Sequence, residues 1–289
     1  MKGWLLALSM TFAPAGPAGA GPDETAAKRG RQLYAAHCAE CHGKEGRGDG
    51  EKAERLGFAP RDFTFGAFKC RSTPTGGPPT VDDLRRIIER GLPGTPMTGL
   101  GDELAADETT ALVGYLETLF PAPAAGPGEA IEIPPPPVPG AVDAAAGAAI
   151  YGLLRCWSCH GVDGRGRGPA ADALEDTWGE PIKVYDFTKR SRYKCGGSDE
   201  DLYRTLHTGM TGSPMPSFTA AFGFAADRVG DLSALEEALG RESVASLMEW
   251  LATQPTAEAI GALDAAERRA LVEERTWQLI AYLRSLERE

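Results

Sequence analysis

The chain has 289 residues, 42% of them apolar and 25% charged, with a formal net charge of −11. That length holds one large domain or two of ordinary size. The acidic balance speaks against a nucleic-acid partner, whose phosphates demand basic surface, and suits steering toward a positively charged partner patch or a merely solvated surface.

In chain order, the first feature is an apolar stretch from Trp4 to Phe12, preceded by Lys2 and followed by Ala18-Gly19-Ala20. A short basic start, a short apolar core and a small-residue site read as a secretory signal peptide over residues 1–20. An uncleaved anchor is the alternative, but the stretch falls well short of a membrane span, and none is expected after cleavage. Export implies an oxidising compartment, where spare cysteines can pair.

Beyond the leader the chain repeats itself. Cys38-Ala39-Glu40-Cys41-His42-Gly43 is matched by Cys156-Trp157-Ser158-Cys159-His160-Gly161, and Asp62-Phe63-Thr64 by Asp186-Phe187-Thr188. Lone cysteines follow at Cys70 and Cys195, then Asp83-Leu84 and Asp201-Leu202, then Pro96-Met97 and Pro214-Met215. Each half closes on a Tyr-Leu helix, with Leu112, Val113, Leu116 and Leu119 on one face of the first and Trp277, Ile280, Tyr282, Leu283 and Leu286 forming a wider apolar side in the second. So many anchors in one order mean duplication. The halves are expected over residues 24–121 and 141–289, joined over 122–140 by a proline-rich linker whose Pro134 to Pro137 run is polyproline II, extending about 3.1 Å per residue.

The second half departs from the first in three places. It has one more residue between Tyr151 and Cys156 than lies between Tyr34 and Cys38, and it lacks a counterpart of Pro74 to Pro79. Residues from about 217 to 265 are an insertion with helix-like apolar stripes at Leu232, Leu235, Leu239, Val244, Leu247, Met248 and Leu251. No strand alternation stands out, so the expected class is all-α.

Cys-x-x-Cys-His is the attachment pattern of c-type haem. Two thiols add to the haem vinyl groups and the adjacent histidine reaches the iron. Cys38, Cys41, Cys156 and Cys159 are the covalent attachment points, and His42 and His160 the proximal ligands. A redox dithiol or half a zinc site is the rival reading of one copy. A zinc site needs a further ligand pair, and only His37 and His207 remain, at unmatched positions. Methionine as sixth ligand raises the potential of an electron carrier. Met97 and Met215 stand in Gly- and Pro-rich loops that cannot become helix and are free to cross the distal face. Met210 aligns with Leu92 and ranks below Met215. His37 reads as a loop residue, and His207 as a surface or propionate-facing one. The glycine loops after each motif lack a phosphate-binding pattern and read as lining the haem edge.

With these residues the chain resembles a diheme cytochrome c, two class I cytochrome c domains in tandem. The carrying motifs are Gly30-x-x-x-Tyr34-x-x-x-Cys38-x-x-Cys41-His42-Gly43, the distal Pro-Met and the final Tyr-Leu helix. The resemblance implies two covalently bound haem c groups in a few wrapped helices. It implies periplasmic one-electron transfer between redox partner proteins, such as a respiratory oxidoreductase, with no catalytic residue. The rival class is a diheme enzyme, peroxidase-like or resembling a thiosulfate-oxidising dehydrogenase, with a displaceable or thiolate sixth ligand. Cys70 and Cys195, equivalent positions of the two copies, stay open between a disulfide across the halves, two buried thiols and haem ligation.

Overall fold

The computed structural model describes residues 24–57, 59–121, 128–138, 140–229 and 232–288. The leader expected over 1–20 and residues 122–127 and 139 of the linker lie outside them. Among the described residues the fold is all-α, and the only extended pairings are single bridges at Gly91–Thr98 and Glu175–Pro181.

The first half is built from α1 (Glu24–His37), α2 (Ala39–His42), α3 (Val81–Arg90) and α4 (Ala106–Glu117). α1 crosses α4, and the crossing is made close by Gly30, where a Cβ would stand 2.1 Å from the Ala111 carbonyl oxygen. Leu33, Tyr34, Leu112, Val113 and Leu116 fill the crossing and are almost wholly buried. Phe63, Phe68, Leu84 and Ile88 complete that core. α3 starts at a capping box in which the Thr80 hydroxyl accepts from Asp83 N and the Asp83 carboxylate accepts from Thr80 N. Two orphan amides of the helix start are thereby satisfied.

The second half repeats the plan with α5 (Ala144–Leu153), α6 (Trp157–His160) and α7 (Asp199–Thr208). Ser198 and Asp201 form the same capping box on α7. Three further helices follow, α8 (Ser233–Leu239), α9 (Arg241–Leu251) and α10 (Ala257–Ala262), before the long closing helix α11 (Ala265–Ser285). α5 crosses α11 at Gly147, whose Cβ would lie 1.9 Å from the Gln278 carbonyl oxygen.

The stretch read as an insertion is no appendage. Leu235 of α8 and Val244, Leu247 and Leu251 of α9 belong to the same buried core as Ile150, Tyr151, Trp277 and Ile280. Arg275 of α11 is 1% exposed and donates to the carbonyls of Phe222 and Phe224, with its guanidinium 3.8 Å above the Phe224 ring. A buried cation is held by carbonyl dipoles and an aromatic face in place of water.

The linker, too, is docked where it is described. Ile131 N donates to the Ser72 carbonyl of the first half at 2.8 Å, while Ile133 packs on the second core. The halves also meet directly. Cys70 and Cys195 are joined by a disulfide spanning 125 residues of chain, Lys69 pairs with Asp176 at 3.0 Å, and the buried Arg71 donates to the Thr208 carbonyl at 2.8 Å.

Candidate haem-binding sites

The two Cys-x-x-Cys-His turns have the same local geometry. In the first, Cys38 N donates to Tyr34 O and His42 N to Cys38 O, so α2 hangs from the end of α1. The Tyr34 hydroxyl donates to the Gly43 carbonyl at 2.7 Å, and Tyr34 packs against Tyr115 of α4 with ring centroids 5.2 Å apart. In the second, the Tyr151 hydroxyl donates to the Gly161 carbonyl at 2.6 Å, and Tyr151 packs against Tyr282 of α11 at 5.2 Å. The additional residue of the second half is absorbed at Arg155, which adopts a left-handed φ of 57° and lets Cys156 N still reach Tyr151 O.

The histidines of both motifs are held by one ring nitrogen. His42 Nδ1 lies 3.0 Å from the Arg61 carbonyl and His160 Nδ1 lies 3.2 Å from the Tyr185 carbonyl. A carbonyl only accepts, so Nδ1 carries the proton and Nε2 is left with its lone pair for a metal. Phe63 stacks on His42 at 4.6 Å and Phe187 on His160 at 4.3 Å, fixing the ring planes. Burial keeps both imidazoles neutral, lowering His42 below its ordinary value and His160 to about 4. The glycine loops after the motifs brace this arrangement: Phe63 N donates to Gly46 O and Phe187 N to Gly164 O, each at 2.7 Å.

The methionine loops also match. Leu92 N donates to Met97 O at 2.9 Å, and Met210 N donates to Met215 O at 3.0 Å. The Thr95 hydroxyl donates to Leu92 O and accepts from Met97 N, and Ser213 does the same between Met210 O and Met215 N. Met210 therefore belongs to the frame of its loop, as Leu92 does. Met97 and Met215 are each half-buried at the loop tip.

Comparison with known proteins gives this duplicated geometry a family. The description "Cytochrome C oxidase, cbb3-type, subunit III" matches residues 25–116, and "Cytochrome c" matches residues 144–255. A chain of the Kuenenia stuttgartiensis reducing HAO-like protein complex Kustc0457/Kustc0458 is 32% identical with a TM-score of 0.69, over 90% of this chain and 96% of that one. No curated protein matches the chain. The chain belongs to the diheme cytochromes c.

Two such domains imply two covalently bound haem c groups, and the side chains of this diheme cytochrome fit them. Cys38, Cys41, Cys156 and Cys159 are unpaired while the remaining two cysteines form the disulfide. Of the buried side-chain polar atoms without a partner among the described residues, one is Trp157 Nε1, between the attachment cysteines of the second motif. Another is Thr211 Oγ1, in the Met215 loop. Buried polar atoms are mostly satisfied. The third exception, Arg275 Nε, belongs to a side chain whose other nitrogens reach the Phe222, Phe224 and Gln254 oxygens, whereas these two lie in the motif and in the methionine loop that would hold a haem. No cluster of three or more His, Cys, Asp or Glu suited to a bare metal ion occurs among the described residues.

His207 differs from its sequence-based reading as a surface or propionate-facing residue. It is only 9% exposed, stacked on Tyr203 at 4.2 Å, with its nitrogens 3.0 Å from the hydroxyls of Thr219 and Thr276. It ties α7 to α11 and to the chain leaving the Met215 loop. His37, read as a loop residue, instead closes α1 and is exposed, 3.9 Å from Glu103.

Proposed function

We propose that this diheme cytochrome carries single electrons in the periplasm between redox partner proteins, through one haem held by Cys38, Cys41, His42 and Met97 and another held by Cys156, Cys159, His160 and Met215. The units that do so are residues 24–121 and 141–289. The observation that carries the reading is the repetition of the whole ligand frame in both halves, from the Nδ1–carbonyl bond of each histidine to the threonine or serine that braces each methionine. Haem iron supplies the reversible exchange of one electron, with no bond made in a substrate. The protein's part is to hold each Nε2 toward the metal, to keep a thioether against the distal face, and to exclude water with Phe63, Phe68, Phe187 and Tyr193.

Two methionine loops braced alike favour six-coordinate irons over an open catalytic position. Pairing of Cys70 with Cys195 removes both as thiolate ligands. The similar Kuenenia chain comes from a protein complex, which supports a protein as the redox partner. The test is the weak far-red charge-transfer band that methionine gives to ferric haem. Met97→Ala and Met215→Ala are each expected to remove about half of that band and to lower the potential of one haem, since methionine ligation raises it. A band unchanged in both variants overturns the ligand assignment.

A further inference from the structure

Each carbonyl that orients a proximal histidine belongs to a residue whose side chain reaches the junction of the halves. In the second half that residue is Tyr185, whose hydroxyl accepts from the backbone N of Cys195, one end of the disulfide. In the first half it is Arg61, whose guanidinium lies 4.1 Å above the ring of Trp178, a residue of the second half. The segment from Gly168 to Asp186 that contains Trp178 is longer than its counterpart from Gly50 to Asp62, so the first half has no equivalent tryptophan.

Trp178 touches the second site as well. A Cβ built on Gly212 would lie 2.5 Å from the indole, and the neighbouring Thr177 N donates to Gly212 O at 3.0 Å. Gly212 lies in the loop that presents Met215. The turn bearing Trp178 is fixed by Asp176, which accepts from Trp178 N and Glu180 N through one oxygen and from Lys69 of the first half through the other. One indole therefore lies between the residue that holds His42 and the loop that holds Met215.

We infer that Trp178 is a positioning residue shared by the two haem sites, holding the Arg61 cation beside His42 and seating the Met215 loop through Gly212. The inference rests on the ligand assignment proposed above. A fixed cation beside a proximal ligand favours the reduced, less positive iron and so raises the potential. A cation–aromatic contact in a partly desolvated place keeps that charge where it acts. At the second site, close packing of the indole on Gly212 leaves the methionine loop little room to lift, and a loosened thioether lowers the potential.

The experiment is a spectroelectrochemical titration of the full-length holoprotein carrying Trp178→Ala or Trp178→Phe. Trp178→Ala is expected to lower both midpoint potentials and to weaken the far-red methionine band. Trp178→Phe, which keeps an aromatic face for the guanidinium and much of the packing, is expected to restore both toward wild type. If only one potential moves, or neither, the shared role is overturned. Equal damage by Phe and Ala overturns it too. Should Trp178→Ala fail to load two haems, Arg61→Gln keeps the carbonyl and removes only the cation. It is expected to lower one potential while leaving the methionine band whole, and no shift overturns the inference. Met215→Ala, read in the same spectra, reports on the ligand assignment separately: an intact band there sinks that assignment, while the two potentials of Trp178→Ala still report on Trp178.

Discussion

His207 is a neutral imidazole whose tautomer is dictated by its neighbours. The Thr276 hydroxyl donates to the Val272 carbonyl, so it accepts from Nε2–H of His207. Nδ1 then carries the lone pair and faces the Thr219 hydroxyl at 3.0 Å. That hydroxyl also reaches the His207 carbonyl at 3.1 Å, and the Ser217 hydroxyl donates to the same carbonyl. Protonation charges a desolvated ring, which is why burial lowers this histidine to about 4 from 6.5. As pH falls the unfolded chain takes up the proton first. The contribution of neutral His207 is therefore full above about pH 6.5 and is lost progressively down to about pH 4, on the order of 3 kcal/mol in all. Denaturant titrations across that window are expected to show stability rising with pH, and His207→Gln to flatten the rise by about that amount. An unchanged pH profile in the variant rules the account out.

At the scale of the helix, two glycines of the first half make opposite demands. Gly30 lies where α1 meets α4, and an added methyl meets the Ala111 carbonyl and the Tyr115 Cβ, which are backbone and helix-fixed atoms that cannot give. Gly114 lies on α4 with nothing within 4 Å of its would-be Cβ. Gly30→Ala is expected to cost about 1–3 kcal/mol by prising the helices apart. Gly114→Ala is expected to stabilise by about 0.5–1 kcal/mol, because alanine loses less backbone freedom in a helix. Thermal unfolding of the two holoprotein variants should move in opposite directions. The helices themselves are legible in sequence, since Leu112, Val113 and Leu116 fall on one face by helical spacing alone and are the residues that are buried. The close approach at Gly30 is not legible, because a glycine in a helix reads the same whether its neighbour is solvent or another backbone.

For the molecule as a whole, the disulfide between Cys70 and Cys195 closes a covalent loop with a sequence separation of 125. Cross-linking positions so far apart restricts the unfolded ensemble, for a gain of about 2–5 kcal/mol. Replacing both cysteines with serine is expected to lower holoprotein stability by that amount, and the intact protein should show no free thiol by mass after alkylation. Detection of two free thiols in the oxidised protein contradicts the pairing. Lys69–Asp176, Arg71 and Thr75 with Thr208, and Arg61 and Phe65 on Trp178 also join the halves, so domain separation in the variant should also weaken the coupling at Trp178.

The sequence by itself determined the chemistry: two Cys-x-x-Cys-His motifs, the duplicated order of anchors around them, and the helical class. These are written in contiguous residues or in local periodicity, because thioether attachment and helix formation depend on neighbours a few positions apart. Tertiary structure alone decided how the halves face each other, which of the open readings of Cys70 and Cys195 holds, that α8 and α9 are core, and that His207 is buried. It also decided that Arg61 and Trp178 meet. Each of these joins positions tens of residues or more apart, and their separation in space is set by how helices and loops pack, for which no short stretch of chain carries a signal.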